Sequence, residues 1–232
     1  MQTFDKIVLH IPHSSNYMAG ATGWQKNVLF IEDIKQWTDW YTDLIFDRPS
    51  YLSEEEVVPV IFPYSRFYVD VERLVDDPLE KEGQGIIYTR FNNNVRTVDE
   101  REREHLMTLY HNHIDRLRSA LTPASILVDC HSFPSHLSDV SVCIGFNDDW
   151  SRPDDEVIAG IRHRFEQFGL RVGINTPPYS NSVSPRCAFD YKSVMIEVNK
   201  RCYMGERDLS LNPAFYNIAG AISSVYQMLL GK

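Results

Sequence analysis

The sequence predicts an α/β fold in which one domain is built on a mixed, mostly parallel sheet flanked by helices. Short apolar runs alternate along the chain with longer segments whose apolar residues recur at helical spacing. One run, residues 125–130 (SILVDC), is nearly all apolar, as expected for a strand covered on both faces of a parallel sheet. No internal repeat, linker or low-complexity tract interrupts the chain. We therefore expect residues 1–232 to form a single domain.

The first half of the chain is predicted to contain strands over residues 7–11, 57–62 and 67–71, a helix over residues 28–47 and a surface excursion over residues 76–94. The first strand ends at Pro12, because proline has no N–H for a sheet ladder. The helix stops before Arg48-Pro49. The two later strands lie on either side of Pro63, and the excursion is predicted because its residues are polar and include glycine.

The second half is predicted to contain strands over residues 125–130, 140–145, 170–174 and 193–198, and helices that begin near Thr97, Ser151 and Asn212-Pro213. Thr97 and Glu100 have the spacing of a capping box, in which each residue satisfies a free backbone N–H of the first turn. The middle helix has Pro153 in its first turn and ends at Gly169.

Composition excludes several classes of function. The formal net charge of −9 disfavours binding to nucleic acid or to an anionic membrane surface. No apolar run approaches the roughly 18–20 residues that span a bilayer, and the amino terminus does not have the pattern of a signal peptide. The four cysteines form no C-x-x-C pair, so we expect reduced thiols in a cytoplasmic protein.

Polar residues with catalytic potential stand where three predicted strands stop. His13 follows the first strand, Asp129-Cys130-His131-Ser132 ends the apolar run ILV, and Glu197 interrupts the run around residue 196. Active sites of open α/β sheets lie beyond the carboxyl ends of the strands. Asp129 and His131 point to the same side of a strand, so Asp129 can accept a hydrogen bond from the His131 ring and fix it.

Two histidines and a carboxylate around an open position suit a catalytic zinc ion. Each residue also has a plainer interpretation: a strand-end histidine is often hydrogen-bonded in the core, and Glu197 could pair with Lys200 or Arg201. His105, His111 and His113 lack the i, i+4 spacing of helix-borne zinc ligands and are interpreted as helix-surface and packing residues.

At these residues the sequence resembles the N-formylglutamate amidohydrolase family, which is related to aspartoacylase, succinylglutamate desuccinylase and the zinc carboxypeptidases. The resemblance runs nearly from end to end and depends on the order of several motifs. These are Pro12-His13-Ser14-Ser15 (family P-H-[SA]-G), Thr38-Asp39-Trp40-Tyr41-Thr42-Asp43 (T-D-W-x-x-D), residues 64–73 (Y-S-R-x-x-x-D-x-N-R), Tyr110-His111, Asp129-Cys130-His131-Ser132 (D-x-H-S) and Asn175-Thr176-Pro177-Pro178-Tyr179 (N-x-P-[FY]).

The resemblance implies a phosphorylase/hydrolase-like fold of the zinc exopeptidase type and an enzyme of amino-acid catabolism that removes a formyl-type acyl group from an acidic amino acid. Its small-molecule substrate would be an N-acyl amino acid such as N-formylglutamate. The implied residues are zinc ligands His13, Asp39 and His131, with Asp43 and Glu72 competing for the place of Asp39; the base Glu197; and substrate-binding Arg66, Arg73, Asn175 and Tyr179. Nothing in the sequence specifies an oligomeric state.

One departure from the family pattern affects the substrate. Glu72 stands where the family usually has asparagine, so an acid would face an acidic substrate unless Arg73 or the metal neutralises it. Two other readings compete with a zinc enzyme. One is a metal-free hydrolase that uses Cys130 or Ser132, although no G-x-S-x-G motif is present. The other is a non-catalytic protein that keeps the fold and binds an acidic metabolite.

Overall fold

The structure, a computed structural model, describes residues 2–20, 23–25, 28–176 and 183–232. In these ranges the elements follow the order β1 (Lys6–Ile11), α1 (Val28–Trp37), α2 (Thr42–Ile45), β2 (Val57–Ile61), β3 (Arg90–Phe91), β4 (Asn94–Val95), α3 (Glu100–Ala120), β5 (Ser125–Phe133), β6 (Val142–Gly145), α4 (Asp155–Gln167), β7 (Val172–Ile174), β8 (Lys192–Asn199) and α5 (Phe215–Leu229). Short 3₁₀ turns cover Pro78–Glu82, Ser135–Leu137 and Lys200–Cys202.

A six-stranded sheet with the order β2-β1-β5-β8-β6-β7 forms the centre of the fold. Strands β2, β1, β5 and β8 are parallel to one another, and β6 and β7 are parallel to each other. The two groups meet at the antiparallel pair of β6 and β8. The prediction of a mixed, mostly parallel sheet flanked by helices is therefore confirmed. Strands β3 and β4 form a separate hairpin.

The two faces of the sheet are covered by different elements. One face carries Leu9, Val128 and Ile196, which pack with buried residues of α2, α4 and α5 in the largest apolar cluster. The other face carries Val8 and Leu127, which pack against α3, and it is called the α3 face below. Because β5 is buried on both faces, all nine of its residues are apolar or have to find polar partners inside the protein.

The segment between β2 and α3 covers the rest of the α3 face. It was predicted to contain a strand over residues 67–71 and a surface excursion over residues 76–94, and both predictions need correction. Residues 67–71 form turns, because the N–H groups of Tyr68 and Val69 both bond to the Ser65 carbonyl instead of to a strand. The excursion is exposed at its start, but Ile86, Ile87, Tyr88 and Phe91 are buried.

The predicted helix over residues 28–47 is two helices. Helix α1 ends at Trp37, and α2 begins at Thr42 after Tyr41 adopts a left-handed conformation with φ of 63°. The break has a tertiary cause, because the Asp39 N–H donates to the carbonyl of His13 instead of continuing the helix (2.9 Å). In the described part of the chain, no helix has the length and apolar character needed to cross a membrane.

The predicted helix starts also shift. The N-cap of α3 is Asp99, whose carboxylate accepts the N–H of Glu102, and the predicted Thr97 capping box does not form. Asp154, not Ser151, is the N-cap of α4, and Gly169 ends this segment at φ of 73°, as predicted. Helix α5 begins at Phe215, slightly after the predicted Asn212-Pro213.

The core around β6 provides a stability test. Ile144 is fully buried in the largest cluster, so Ile144→Ala should lower the free energy of unfolding by about 2–5 kcal/mol through lost burial and a residual cavity. Ile31→Ala is the control, because Ile31 is 56% exposed and its truncation should change stability by less than about 0.5 kcal/mol. Urea titrations of both variants measure the difference, and equal midpoints would contradict the packing.

Candidate functional site

Strand register brings four polar side chains together. His10 on β1 pairs with Asp129 on β5, and His131 on β5 pairs with Glu197 on β8. Residues paired across parallel strands point to the same face, and so do Asp129 and His131, which are two residues apart. All four side chains therefore lie on the α3 face, towards the carboxyl ends of the parallel strands.

The loops after β1 and α1 add His13 and Asp39 to this group. The hydrogen bond between the Asp39 N–H and the His13 carbonyl joins the two loops. Asp39 Oδ2 lies 3.2 Å from His131 Nδ1 and 3.7 Å from His13 Nδ1. The two imidazole rings are 5.2 Å apart between centroids. Positions 13, 39 and 131, far apart in sequence, thus converge within bonding reach of a single cation.

A buried carboxylate holds the far nitrogen of each of these imidazoles. His13 Nε2–H donates to Asp70 Oδ1 (2.8 Å), and His131 Nε2–H donates to Asp129 Oδ1 (3.0 Å). With the proton on Nε2, the Nδ1 atom of each neutral ring keeps a lone pair on the side of Asp39. The predicted hydrogen-bond role of Asp129 thus matches its position, whereas Asp70 was not singled out by the sequence.

The pKa values of the central carboxylate and imidazole shift in opposite directions. Burial alone would raise the pKa of Asp39, but the nearby rings of His13 and His131 and their charge lower it overall. Burial would lower the pKa of His131, but the charges of Asp129 and Glu72 raise it well above its usual value. Without a metal, His131 is therefore protonated and donates to Asp39 as well; a bound cation would displace that proton.

Glu197 is buried and lacks a partner for one of its oxygens. Its side chain is 3% exposed, and Oε2 accepts no hydrogen bond from the described residues. Burial raises the pKa of Glu197 well above the usual range, the charge of His131 lowers it, and the negative charges of Asp39 and Glu72 raise it further. A carboxyl group in this environment can take up and release a proton near neutral pH.

A cavity of about 400 Å³ opens over these groups. Its polar lining includes both predicted arginines and three of the acids, and its apolar lining is largely aromatic. The lining residues are Trp37, Asp39, Arg66, Glu72, Arg73, Leu79, Gln84, Tyr88, Phe91, Asn92, His131, Ser132, Pro134, Glu197 and Lys200. The volume suits a small molecule, and the two arginines in the lining can pair with negative charge on it.

The two arginines are held by acids in the same loop. Arg66 Nη2 lies 3.2 Å from Asp70 Oδ2 and 3.3 Å from Glu72 Oε2. Arg73 lies 3.6 Å from Asp70 through Nε and 3.7 Å from Asp77 through Nη1. These ion pairs are partly buried, and both arginines line the cavity.

Comparison with known proteins identifies the family of the chain. The sequence profile described as FGase, N-formylglutamate amidohydrolase, matches residues 5–204. The chain belongs to the N-formylglutamate amidohydrolase family. Among solved structures, the N-formylglutamate amidohydrolase of Ralstonia eutropha JMP134 is similar over 100% of this chain and 94% of its own, with a TM-score of 0.81 and 17% sequence identity.

A second solved structure, a bacteriophage poly-γ-glutamate hydrolase, aligns over 99% of this chain and 87% of its own at 11% identity, with a TM-score of 0.43. None of the curated proteins matches the sequence. The resemblance inferred from the ordered motifs is thus confirmed at the level of the family, and the fold is shared with the bacterial amidohydrolase. Membership assigns the chain to a family of hydrolases that act on amides.

Asn175, a predicted substrate-binding residue of the family's N-x-P-[FY] motif, does not line the cavity. Asn175 is exposed and bonds through its side chain to the main chain of Phe146 (2.9 and 3.2 Å). Strand β7, which it follows, runs opposite to β5 and β8, so its carboxyl end points away from the site. Tyr179 lies outside the described residues.

Lys200 was considered only as an ion-pair partner of Glu197, but it has another position. Its side chain is buried, and Nζ donates to the carbonyls of Gln36 and Thr38 (2.8 Å for Thr38) at the end of α1. Burial lowers the pKa of Lys200 to about 8, against the opposing effect of the Asp39 charge. Lys200 thus satisfies the last carbonyls of α1 and fixes the segment that carries Asp39.

The thiol required by the metal-free alternative is in the wrong place. Cys130 points to the face opposite His131, is fully buried and donates to the Val128 carbonyl. Burial and the charge of Asp129 raise the pKa of the Cys130 thiol well above its usual value, which disfavours the nucleophilic thiolate. Ser132 lines the cavity but donates its hydroxyl to Asp39 Oδ1 (3.3 Å).

Of the three histidines on α3, two lie on the surface and one packs in the interior. His105 and His111 are exposed, whereas His113 is buried against the ring of Phe62 and places Nε2 3.0 Å from His10 Nε2. Burial lowers the pKa of His113 to about 2, and the nearby charge of Arg116 adds to this effect. His113 is therefore neutral in the folded protein throughout the physiological pH range.

This burial predicts a pH-dependent stability. The unfolded chain protonates His113 below about pH 6.5 while the folded chain does not, so the stability that neutral His113 contributes is fully present above that pH and falls by about 1.4 kcal/mol per pH unit below it. His113→Gln does not titrate, so at pH 5 it should lose about 2 kcal/mol less than the wild type relative to pH 7.

Urea unfolding of the chelator-treated protein at pH 7, 6 and 5 measures the two slopes. His105→Gln is the control, because an exposed histidine on the same helix should leave the wild-type slope unchanged. Identical slopes for wild type and His113→Gln would show that His113 ionises normally in the folded state.

Proposed function

We propose that the chain is a zinc-dependent hydrolase that cleaves the N-acyl amide of an acidic amino acid, with N-formylglutamate as the representative substrate. One observation carries the proposal: two imidazole Nδ1 atoms and Asp39 Oδ2 face one another at the cavity that Glu197 lines with an unpaired oxygen. Family membership supports the amide chemistry. The four cysteines are reduced thiols, which fits a cytoplasmic location.

The residues at the site fit a zinc ion. His13, Asp39 and His131 offer ligand atoms that all lie within 4.8 Å of one another. The observed separations of 3.2 and 3.7 Å from Asp39 Oδ2 match the spacing of about 3.4 Å between ligands of a tetrahedral zinc ion. His13 Nδ1 is buried with no hydrogen-bond partner among the described groups, as expected of a ligand atom.

Asp39 is a better third ligand than its two competitors. Asp39 Oδ2 lies near both free Nδ1 atoms, whereas the contact of Glu72 with His131 is to Nε2 (3.8 Å), the nitrogen that Asp129 already holds. Glu72 Oε2 does approach His13 Nδ1 (3.8 Å), but it also accepts from Arg66. In the described chain, Asp43 belongs to no group that could hold a metal.

When bound, zinc supplies Lewis-acid activation of the water and of the amide carbonyl. Glu197 accepts the proton of the attacking water and returns it to the leaving nitrogen, which requires the raised pKa that burial gives it. Its unpaired Oε2 is the atom available for that proton. The apolar surroundings that exclude bulk water from Glu197 also strengthen its interaction with the charges that develop in the reaction.

Arg66 and Arg73 bind the substrate carboxylates. A guanidinium has five N–H groups, and both ion pairs of Arg66 use Nη2, so its other N–H groups can meet a carboxylate in the cavity. Glu72 is neutralised by Arg66, which answers the objection that an acid at this position would repel the substrate. We assign substrate binding to these arginines in preference to Asn175, whose side chain is bonded to Phe146.

Replacing the proposed base tests the mechanism. Glu197→Gln should keep stoichiometric zinc but lower kcat for N-formylglutamate by about 10²–10⁴-fold, because the amide cannot carry the proton. Formate release and metal analysis provide the two readouts. Glu166→Gln on the surface of α4 is the control and should behave as the wild type. Unchanged turnover in Glu197→Gln, or a wild-type protein that hydrolyses N-formylglutamate without metal, would overturn the proposal.

Substitution of Glu72 distinguishes an effect on substrate binding from an effect on zinc binding. Glu72→Asn should leave zinc affinity near the wild-type value and lower KM for N-formylglutamate by about three- to tenfold, since removing roughly 1 kcal/mol of competition frees Arg66 for the substrate. Asp39→Asn should instead weaken zinc binding strongly. If the two variants exchange these phenotypes in a chelator-competition titration, Glu72 is the third ligand and Asp39 is not.

A further inference from the structure

A chain of hydrogen bonds continues from the proposed metal centre into the core. His131 Nε2 and His10 Nδ1 both contact Asp129 Oδ1, at 3.0 and 2.8 Å. On the far side of its ring, His10 Nε2 meets His113 Nε2 at 3.0 Å. These four side chains come from β1, β5 and α3, and each is at most 2% exposed. Neither His10 nor His113 has a role in the proposed reaction.

The contacts define where the protons lie. Asp129 accepts the backbone N–H of Val183 on Oδ2 (2.8 Å) and two ring nitrogens on Oδ1, so His10 Nδ1 and His131 Nε2 both carry protons. A neutral His10 then has a lone pair on Nε2, which accepts the Nε2–H of His113. This arrangement buries no imidazolium at His10 and leaves only a lone pair of His113, on Nδ1, without a described partner.

We propose that His10 and His113 are positioning residues for the metal centre: His113 fixes His10, His10 donates to the same Asp129 oxygen that holds His131 Nε2, and the carboxylate held in this way orients the His131 ring so that Nδ1 faces Asp39. The inference rests on the proposed metal site. Without the donor on His113, the buried lone pair of His10 Nε2 has no partner. The tautomer of His10 with its proton on Nε2 then becomes more favourable relative to the tautomer with its proton on Nδ1. Asp129 then loses one of its three donors and its fixed orientation.

A structural histidine that merely fills the core would not have this effect, and paired variants distinguish the two cases. His113→Leu removes the donor and fills the space with an apolar side chain. His113→Gln instead places an amide N–H₂ near the position of Nε2. On β1, His10→Leu removes both contacts, whereas His10→Asn keeps a donor near the position of Nδ1. His105→Leu on the exposed side of α3 is the control.

The experiment measures zinc affinity by chelator competition and the tautomer of His10 by ¹⁵N NMR of the histidine rings in the metal-free protein. In His113→Leu we expect zinc to bind about three- to tenfold more weakly, less than the roughly 10–100-fold loss from removing a direct partner of a ligand, and the His10 proton to leave Nδ1. In His113→Gln, the zinc affinity should return to near the wild-type value and the His10 proton should be on Nδ1 again. His10→Asn should bind zinc more tightly than His10→Leu.

Unchanged zinc affinity and an unchanged His10 tautomer in His113→Leu would overturn the inference. If His113→Leu does not fold, equal zinc affinities of His10→Asn and His10→Leu would overturn it as well. Failure of the proposed function is separate, because it would appear as absent zinc binding or absent hydrolysis in the wild type. Loss of affinity in the His105→Leu control would show that the assay reports general stability instead of positioning.

Discussion

The arrangement of the site depends on two buried carboxylates, Asp70 and Asp129, that hold the far nitrogens of His13 and His131. A buried anion is costly unless it is paired and hydrogen-bonded. Asp129 obtains its donors from His10 on β1, from His131 on its own strand and from the N–H of Val183. Asp70 obtains its donors from the segment between β2 and α3, where Arg66, Arg73 and Tyr88 surround it. Much of that irregular segment is therefore explained by the need to bring Asp70 and its partners to His13.

The strands that carry the site could be predicted well because the sheet is covered on both faces. Burial leaves few polar residues in β1, β5 and β8, so the polar residues that do occur stand out in the sequence. The same logic failed at residues 67–71, since a buried coil with apolar side chains has the composition of a strand. The break after Trp37 could not be predicted, because its partners His13 and Lys200 are remote in sequence.

The candidate site was predicted in part. His13, Asp39, His131 and Glu197 were identified by strand ends and family motifs, and the structure brings them together. Asp70 is inside a recognised motif, but its function as a hydrogen-bond acceptor depends on a contact that spacing does not reveal.

His113 lies in a polar helical stretch that gives no sign of a buried partner. Its hydrogen bond to His10 becomes evident only when α3 is placed against β1. For Asn175, the motif identifies the residue, but the reversed direction of β7, which it follows, cannot be inferred from the motif.

The contact of Lys200 with the end of α1 has a mechanical consequence. Lys200 directly follows β8, the strand that carries Glu197, and its ammonium group is bonded to the main chain on both sides of Trp37. The contact therefore ties the segment that carries Trp37 and Asp39 to the strand that carries Glu197. Asn92, which also lines the cavity, is tied to the same helix, because its side chain donates to Asp33 Oδ1 of α1 (2.7 Å), so a displacement of α1 would move both parts of the lining together.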